Sequence, residues 1–409
     1  MPTAVRHLPR KALDHARRHM ERQTELDWLR GLMLVLMTIT HLPTWFSVHA
    51  GQPFGFVSAA EGFVFLSAYL VGSVYSRMAR KQGYAAMRRA LLGRAAKVYA
   101  AHVALLLFLF WVLVPFATSQ GAHAITNLAS YYVAHPRVAL VSGLLLAYNP
   151  PLLDILPMYV LFLLASPILL AYASRRGFGV LLALSAALWL YAQLNGGRHL
   201  YESIVHLTGW PVPYPQTGAF SLFAWQMLWL VGLRAGALKA EAVDAGEAEA
   251  PWPVALMWTA TLLTALFFVW RHVVGQVPFA GDAALSALFD KWHLGPLRLL
   301  NFAVLAILVV HGRRMFAAWS LHSSIATMGR ASLLVFSAHL LLCLVVLATV
   351  GDAIGPHVGL LDAALLTGTL VTLYAVARAS LPREQSHRGH VRIGRRGRSA
   401  AAVSARIAR

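Results

Sequence analysis

Ten runs of mainly apolar residues, each near the length of a membrane-spanning helix, recur along this chain. A helix needs about 20 such residues to cross the hydrocarbon core of a bilayer. Because lipid offers the backbone no hydrogen-bond partners, runs of this length cross as helices. We therefore predict an all-α integral membrane protein, a bundle of about ten transmembrane helices. The predicted spans are 28–48, 56–76, 97–117, 154–173, 178–194, 219–238, 253–271, 296–311, 329–350 and 358–378.

The charged residues support a membrane protein and argue against a soluble one. Only 12% of the 409 residues are charged and 58% are hydrophobic, whereas soluble proteins carry roughly a quarter of their residues as charges. The net charge of +19 raises the alternative of a nucleic-acid-binding protein. However, the basic residues separate apolar runs and do not form a patch on a polar domain, so no nucleic-acid partner is predicted.

The distribution of Lys and Arg predicts the orientation of the bundle. Short cytoplasmic loops of membrane proteins carry an excess of these residues. If both termini are cytoplasmic, the outside loops hold only Arg137, Arg198, Arg271 and Lys291 out of 35 basic residues. The sequence therefore predicts a cytoplasmic basic N-terminal segment, a transmembrane domain and a disordered basic cytoplasmic tail, at residues 1–27, 28–378 and 379–409.

Two long segments, 118–153 and 195–218, fall outside in this topology and are rich in His, Tyr, Trp, Asn and Pro. Aromatic rings beside polar groups suit sugar faces, although the membrane interface is the commoner setting for a single Trp or Tyr. The apolar stretch 138–148 is too short for a span and is predicted to be a re-entrant or interfacial helix. The role of segment 118–153 stays open.

Arg30 and His41 in the first predicted span are expected to carry chemistry, because charged groups inside a bilayer are costly. They are eleven residues apart, which is about three helical turns and about 16 Å along the axis. Both side chains therefore point the same way, Arg30 at the cytoplasmic mouth and His41 in the outer half. The alternatives are an Arg30 that reaches the interface by snorkelling and a His41 that only packs or hydrogen-bonds.

Glu61 lies near the outer end of the second predicted span, at about the depth of His41. Antiparallel helices joined by a short loop pack together, so the two side chains are predicted to meet. A carboxylate beside an imidazole can fix its tautomer and raise its basicity. His339, in the middle of the ninth span, is expected either to face the same cavity or to make an interhelix hydrogen bond.

Four further polar or aromatic residues are predicted to contact substrate. Asp154 opens the fourth span, where a helix N-cap is the alternative. The others are Trp225, Gln226 and Asn301. No metal site is predicted, because the chain has one cysteine, Cys343, and no HExxH motif. The phosphate-binding loop and the dinucleotide fingerprint are also missing from the sequence.

The motif of Arg30 and His41, within ELDWLRGLMLVLMTITHLP, resembles the first-helix signature of the acyltransferase 3 superfamily. The fuller pattern resembles the OpgC-type branch, which O-succinylates osmoregulated periplasmic glucans. Five runs carry this resemblance in order over residues 25 to 340: that first run, AAEGFVFLSAYLVG, LDILPMYVLFLLASP, FSLFAWQMLWLVG and MGRASLLVFSAHL.

The resemblance implies a ten-helix enzyme of the bacterial inner membrane that takes an acyl group from cytoplasmic acyl-CoA and delivers it to a glucan outside. It also implies Arg30 and His41 as the motif pair and His339 as the late-helix histidine; Glu61 stands in the second-helix run. Succinyl-CoA and acetyl-CoA both remain possible donors, and neither the exact acceptor nor the oligomeric state is fixed by the sequence.

We expect the donor phosphates at the inner mouth and the thioester near His41. Arg30 and the basic loop 77–97, with Arg88, Arg89 and Arg94, are predicted to bind the phosphates. His41 then acts as general base or takes the acyl group itself. The alternative function is a transporter that couples sugar or organic-acid movement to protons through His and Glu, without acyl chemistry.

Overall fold

The computed structural model describes residues 10–247, 252–320, 323–355 and 358–381. Within these ranges the chain is helical and has no strand. The helices are α1 (Arg10–His41), α2 (Trp45–Ala50), α3 (Ala59–Gln82), α4 (Tyr84–Phe108), α5 (Val114–Gln120), α6 (His123–Leu128), α7 (Ser130–Ala134), α8 (Pro136–Leu144), α9 (Ile155–Arg176), α10 (Gly179–Gln193), α11 (Gly196–Thr208), α12 (Leu222–Asp244), α13 (Val254–Val274), α14 (Ala283–Ala287), α15 (Pro296–Ser320), α16 (Ser324–Arg330), α17 (Ser332–Thr349) and α18 (Leu360–Ser380).

Among the described residues, six stretches of helix are long and apolar enough to cross a membrane: α3, the continuous stretch Tyr84–Gln120, α9, α13, α17 and α18. The pair α10 and α11, which bends by 78° at its break, would make a seventh. Polar residues lower the hydropathy of α1 and α12, and the apolar part of α15, Pro296–Gly312, is shorter. The chain is thus an all-helical, multi-pass membrane protein, while the count of ten spans and the orientation stay predictions.

Segment 118–153, which is predicted to lie outside, is built from short helices. A π-helical turn, Leu109–Leu113, continues α4 into α5, and α6, α7 and α8 follow. The predicted helix 138–148 corresponds to α8 (Pro136–Leu144) and the turn after it. The predicted cytoplasmic tail lies outside the described residues beyond position 381, as do the first nine residues of the N-terminal segment.

Glycines let α1 and α3 approach their neighbours closely. A Cβ atom at Gly31 would collide with the carbonyl oxygen of Ile325 in α16, and one at Gly329 with that of Asp27 in α1. The same holds where Gly72 of α3 lies against Leu233 of α12. Small residues allow helix backbones to pack at short range in membranes. As a result α1, α3, α12, α16 and α17 pack around one common region at the centre of the bundle.

Candidate active site

Two histidines from helices far apart in sequence meet at this centre. Nδ1 of His41, the last residue of α1, lies 3.0 Å from Nε2 of His339 in α17. Their rings are nearly parallel, with 5.2 Å between centroids. His339 is fully buried, whereas His41 keeps part of its surface exposed. His41 is therefore the more accessible member of the pair.

The hydrogen bonds of His339 assign the proton positions of both rings. Nδ1 of His339 lies 3.0 Å from the carbonyl oxygen of Phe336. A carbonyl only accepts, so in a neutral His339 the proton is on Nδ1 and Nε2 is an acceptor. His41 must then donate from Nδ1, which leaves the lone pair on its Nε2. The buried pair thus holds His41 in the tautomer that a general base requires.

Arg30, three turns before His41 in α1, lies in a second cluster of polar groups. Its Nη2 donates to the hydroxyl of Ser332, the first residue of α17. Its Nη1 is 3.7 Å from Asp27, while its buried Nε has no hydrogen-bond partner. Arg94 of α4 and Tyr159 of α9 lie within electrostatic range of Arg30. Arg94 donates to the hydroxyl of Tyr159 over 3.0 Å.

The three arginines predicted for the basic loop occupy different environments. Arg94 points into the protein and joins the Arg30 cluster. Arg88 and Arg89 lie six and five residues earlier in α4 and are exposed. The structure thus brings Arg94, but neither of the other two, to the cluster around Arg30.

Glu61 does not contact His41, contrary to the sequence expectation. Its Oε1 pairs with Nε of Arg298 in α15, and both groups are buried. Its Oε2 accepts from the backbone nitrogen of Ser58 at 3.0 Å and from the Ser58 hydroxyl at 2.5 Å. Both carboxylate oxygens are therefore engaged, and the residue that holds the His41 ring is His339.

Three of the four residues that were predicted to contact substrate make hydrogen bonds within the protein. Gln226 exchanges hydrogen bonds with Ser185 of α10. Asn301 accepts from the backbone nitrogen of Phe56 over 2.7 Å. The indole of Trp225 donates to the carbonyl oxygen of Trp292 over 3.1 Å. The direct contacts of all three are thus explained by packing, and a role in substrate binding stays a prediction.

Asp154 precedes α9, as the alternative prediction of an N-cap required, but its side chain does not cap that helix. Its Oδ2 accepts from the backbone nitrogen of Ala219, over 3.1 Å. The carboxylate therefore ties the start of α9 to the loop before α12. Gly218 in that loop packs against Asp154, at a backbone φ of 103° that disfavours larger residues.

Lys291, which the sequence marked only as an outside charge, lies close to this centre. Its ammonium is within electrostatic range of His41, Glu61 and Asp154. Burial lowers the pKa of this ammonium, while the charge of Glu61 opposes the change. The sequence signal that could have indicated Lys291 is its setting between acidic and aromatic neighbours in the run FDKWHLG.

The Arg30 cluster and His41 lie at different positions along α1 and offer different chemistry. The cluster around Arg30 offers cations for phosphate oxygens, and His41 offers an imidazole lone pair about 16 Å further along the helix axis. Among the described residues no group of three or more His, Cys, Asp or Glu side chains could hold a metal ion. The two clusters thus offer anion binding at one end of α1 and proton transfer at the other.

A family model described as OpgC protein matches residues 22–385 of the chain. No curated protein and no solved structure matches it. The family match begins before Arg30 and ends after His339, so it includes both clusters described above. Because the match covers most of the chain, the protein belongs to the OpgC family, and this membership implies an acyltransferase that modifies a glucan.

Proposed function

We propose that this protein moves an acyl group, succinyl or acetyl, from cytoplasmic acyl-CoA to hydroxyl groups of a periplasmic glucan. The observation that carries the proposal is the His41–His339 pair, which fixes a reachable imidazole on the helix that also carries Arg30. In this proposal the bundle has ten spans in the bacterial inner membrane, with both termini cytoplasmic. The scarcity of Lys and Arg in the outside loops supports that orientation.

The donor binds with its phosphates at the cytoplasmic end of α1. Arg30 and Arg94 lie close enough for their like charges to interact, and Asp27 is the only carboxylate in a salt bridge with either among the described residues. An anion between the two arginines relieves their repulsion. The pantetheine arm then extends along α1 and brings the thioester to His41, over the rise of about three turns.

Transfer requires one proton to leave the sugar and one to reach the thiolate. The sugar oxygen attacks the thioester carbonyl carbon while Nε2 of His41 takes the hydroxyl proton. The C–S bond then breaks, and the CoA thiolate receives that proton from His41. His339 accepts from Nδ1–H of His41 throughout and steadies the charged ring. An acyl-imidazole on the same nitrogen is the covalent alternative.

The direct test is transfer by the purified full-length protein in detergent. With a linear or cyclic oligoglucose and succinyl-CoA or acetyl-CoA, we expect products that are heavier by one acyl group, with release of one CoA thiol for each. Mass spectrometry and a thiol reagent measure the two quantities. Hydrolysis of acyl-CoA without acylated sugar, or no turnover of either donor, would contradict the proposal.

Replacement of Arg94 by Gln is expected to weaken CoA binding about 10- to 100-fold, because a hydrogen bond to a charged group contributes about 1.5–3 kcal/mol. Isothermal titration of the purified protein with CoA measures the dissociation constant. Arg175→Gln, an exposed arginine at the end of α9, is the matched control and should bind CoA as the wild type does. Equal affinities in all three proteins would remove Arg94 from the donor site and favour a transporter without a CoA site.

A further inference from the structure

The loop that carries Lys291 is held rigidly between α10 and α12. The carbonyl oxygen of Trp292 accepts from the indole of Trp225 and from the backbone nitrogen of Ser221, over 3.1 and 3.0 Å. Two side chains of α10 bond the next carbonyl groups, Gln193 to His293 and Trp189 to Leu294. Four hydrogen bonds thus fix this short loop, so the position of Lys291 is set by the fold.

Lys291 nevertheless has no anionic partner among the described residues. Its ammonium lies 4.7 Å from the centre of the Trp292 ring and 5.8 Å from that of Phe220. The two carboxylates within electrostatic range are engaged elsewhere, Glu61 with Arg298 and Asp154 with the backbone of Ala219. A partly buried cation among aromatic rings, without an ion pair, is suited to an anion that arrives with a substrate.

A second unsatisfied donor lies in the same region. Arg298 is buried, and its Nη2 has no hydrogen-bond partner. Its Nε is used by Glu61 and its Nη1 by the carbonyl oxygen of Phe289 at 3.4 Å. Arg298 and Lys291 are within electrostatic range of each other. Lys291 and Arg298 are therefore two neighbouring cations with free donors, and Lys291 is within electrostatic range of His41.

The substrates of the proposed acyltransferase reaction indicate which anion would bind Lys291. The phosphates of the donor lie at the other end of α1, about 16 Å away by helix rise, and the glucose hydroxyls are neutral. The remaining group near His41 is the acyl chain itself. Lys291 is within electrostatic range of His41, so a carboxylate at the far end of the acyl chain would lie in the region of this ammonium.

We propose that Lys291 is the residue that selects a dicarboxylic acyl donor, by binding the carboxylate at the far end of the acyl chain. This inference rests on the proposed acyltransferase function. The aromatic rings of Trp292 and Phe220 lie beside the ammonium, and the partial burial of Lys291 strengthens the charge pairing. A neutral acyl group such as acetyl has no carboxylate to pair with the ammonium, so Lys291 does not strengthen its binding.

The test compares two donors on Lys291→Gln in the purified full-length protein with an oligoglucose acceptor. The measured quantity is the ratio of kcat/KM for succinyl-CoA to kcat/KM for acetyl-CoA. We expect this ratio to fall about 10- to 100-fold, the effect of losing one charge-assisted hydrogen bond. Lys291→Arg should restore part of the ratio, because the cation is kept.

The results of this test distinguish a failure of the Lys291 inference from a failure of the proposed function. Arg198→Gln removes an exposed charge from α11 and should leave the ratio at its wild-type value. If Lys291→Gln lowers both kcat/KM values equally, or leaves the ratio unchanged, the inference is wrong while the acyltransferase proposal stands. If the wild-type protein acylates glucan with neither donor, the proposed function itself fails. Because the ratio compares donors on one preparation, partial misfolding of a variant does not alter it.

Discussion

Replacing His41 with alanine is expected to lower kcat for acyl transfer about a thousandfold, within the range of 10²–10⁴ that a positioned general base contributes. Loss of the imidazole removes the basic nitrogen, Nε2 of His41, that is free to take the hydroxyl proton. The dissociation constant of CoA should change little, because the donor phosphates bind three turns away. Initial rates with saturating donor and acceptor, together with CoA titration, measure the two quantities.

Two variants of His339 test the role of the second histidine of the pair. His339→Leu removes the acceptor for His41 Nδ1–H and lets the ring adopt either tautomer, so we expect kcat to fall about 10- to 100-fold, the usual effect of losing a partner that orients a functional histidine. His339→Gln keeps a side-chain oxygen that can accept and should lose less. This order of activities follows from hydrogen bonding and not from side-chain size, because Gln and Leu fill similar volumes.

The matched control is His102 in α4, another buried histidine, whose Nε2 bonds the carbonyl oxygen of Gly143 over 3.2 Å. His102→Gln should keep the wild-type kcat, which separates the loss of catalysis from the cost of altering a buried ring. Wild-type kcat in His41→Ala would exclude His41 as base or nucleophile. Equal activity of His339→Leu and His339→Gln would exclude the tautomer argument but not the role of His41.

Helix geometry within one segment could be predicted from the sequence. The spacing of Arg30 and His41 depends only on helical rise and twist, so their separation along α1 follows from the sequence without any knowledge of neighbours. The sequence left open whether His339 faces the cavity or makes an interhelix hydrogen bond, and it did not predict His41 as its partner, since depth in a span does not specify which helices touch. That contact is decided by the glycines that bring α1 against α16 and so place α17 beside it.

Contacts between distant segments could not be predicted in the same way. Glu61 has the right depth to meet His41, but Arg298 lies at that depth too and offers a buried carboxylate a stronger partner. Arg298 lies near the start of the predicted span 296–311 and Lys291 in a predicted outside loop, and the hydropathy pattern gives no information on which loop packs near His41. The indole of Trp225 bonds that loop, and this contact places Lys291 near the site.

The ion pair between Glu61 and Arg298 gives the second large expected effect. Arg298→Met leaves the Glu61 carboxylate buried without its cation, and breaking a buried pair in this way costs about 3–5 kcal/mol. We expect the free energy of unfolding to fall by that amount, because α3 and α15 lose a buried ion pair between them. Denaturant unfolding of the detergent-solubilised protein, followed by tryptophan fluorescence, measures the change.

The double variant Glu61→Leu with Arg298→Met separates the cost of an unpaired buried carboxylate from the net contribution of the ion pair to stability. Replacing both charges with apolar groups removes the unpaired carboxylate, so the double variant should be more stable than Arg298→Met alone, since such replacements are often neutral or stabilising. If the double variant is instead as unstable as the sum of both single changes, the pair is not coupled.

Glu61→Gln tests the remaining alternative, that this carboxylate tunes His41 as the sequence suggested. In the structure Glu61 acts on Arg298 and on Ser58, so its amide variant should lower the free energy of unfolding, and kcat measured on the folded fraction should stay near the wild-type value. A fall in kcat with an unchanged free energy of unfolding would instead mean that Glu61 moves to His41 when substrate binds. The two results differ in which quantity changes, because a structural anchor acts on folding whereas a carboxylate that orients the base acts on proton transfer.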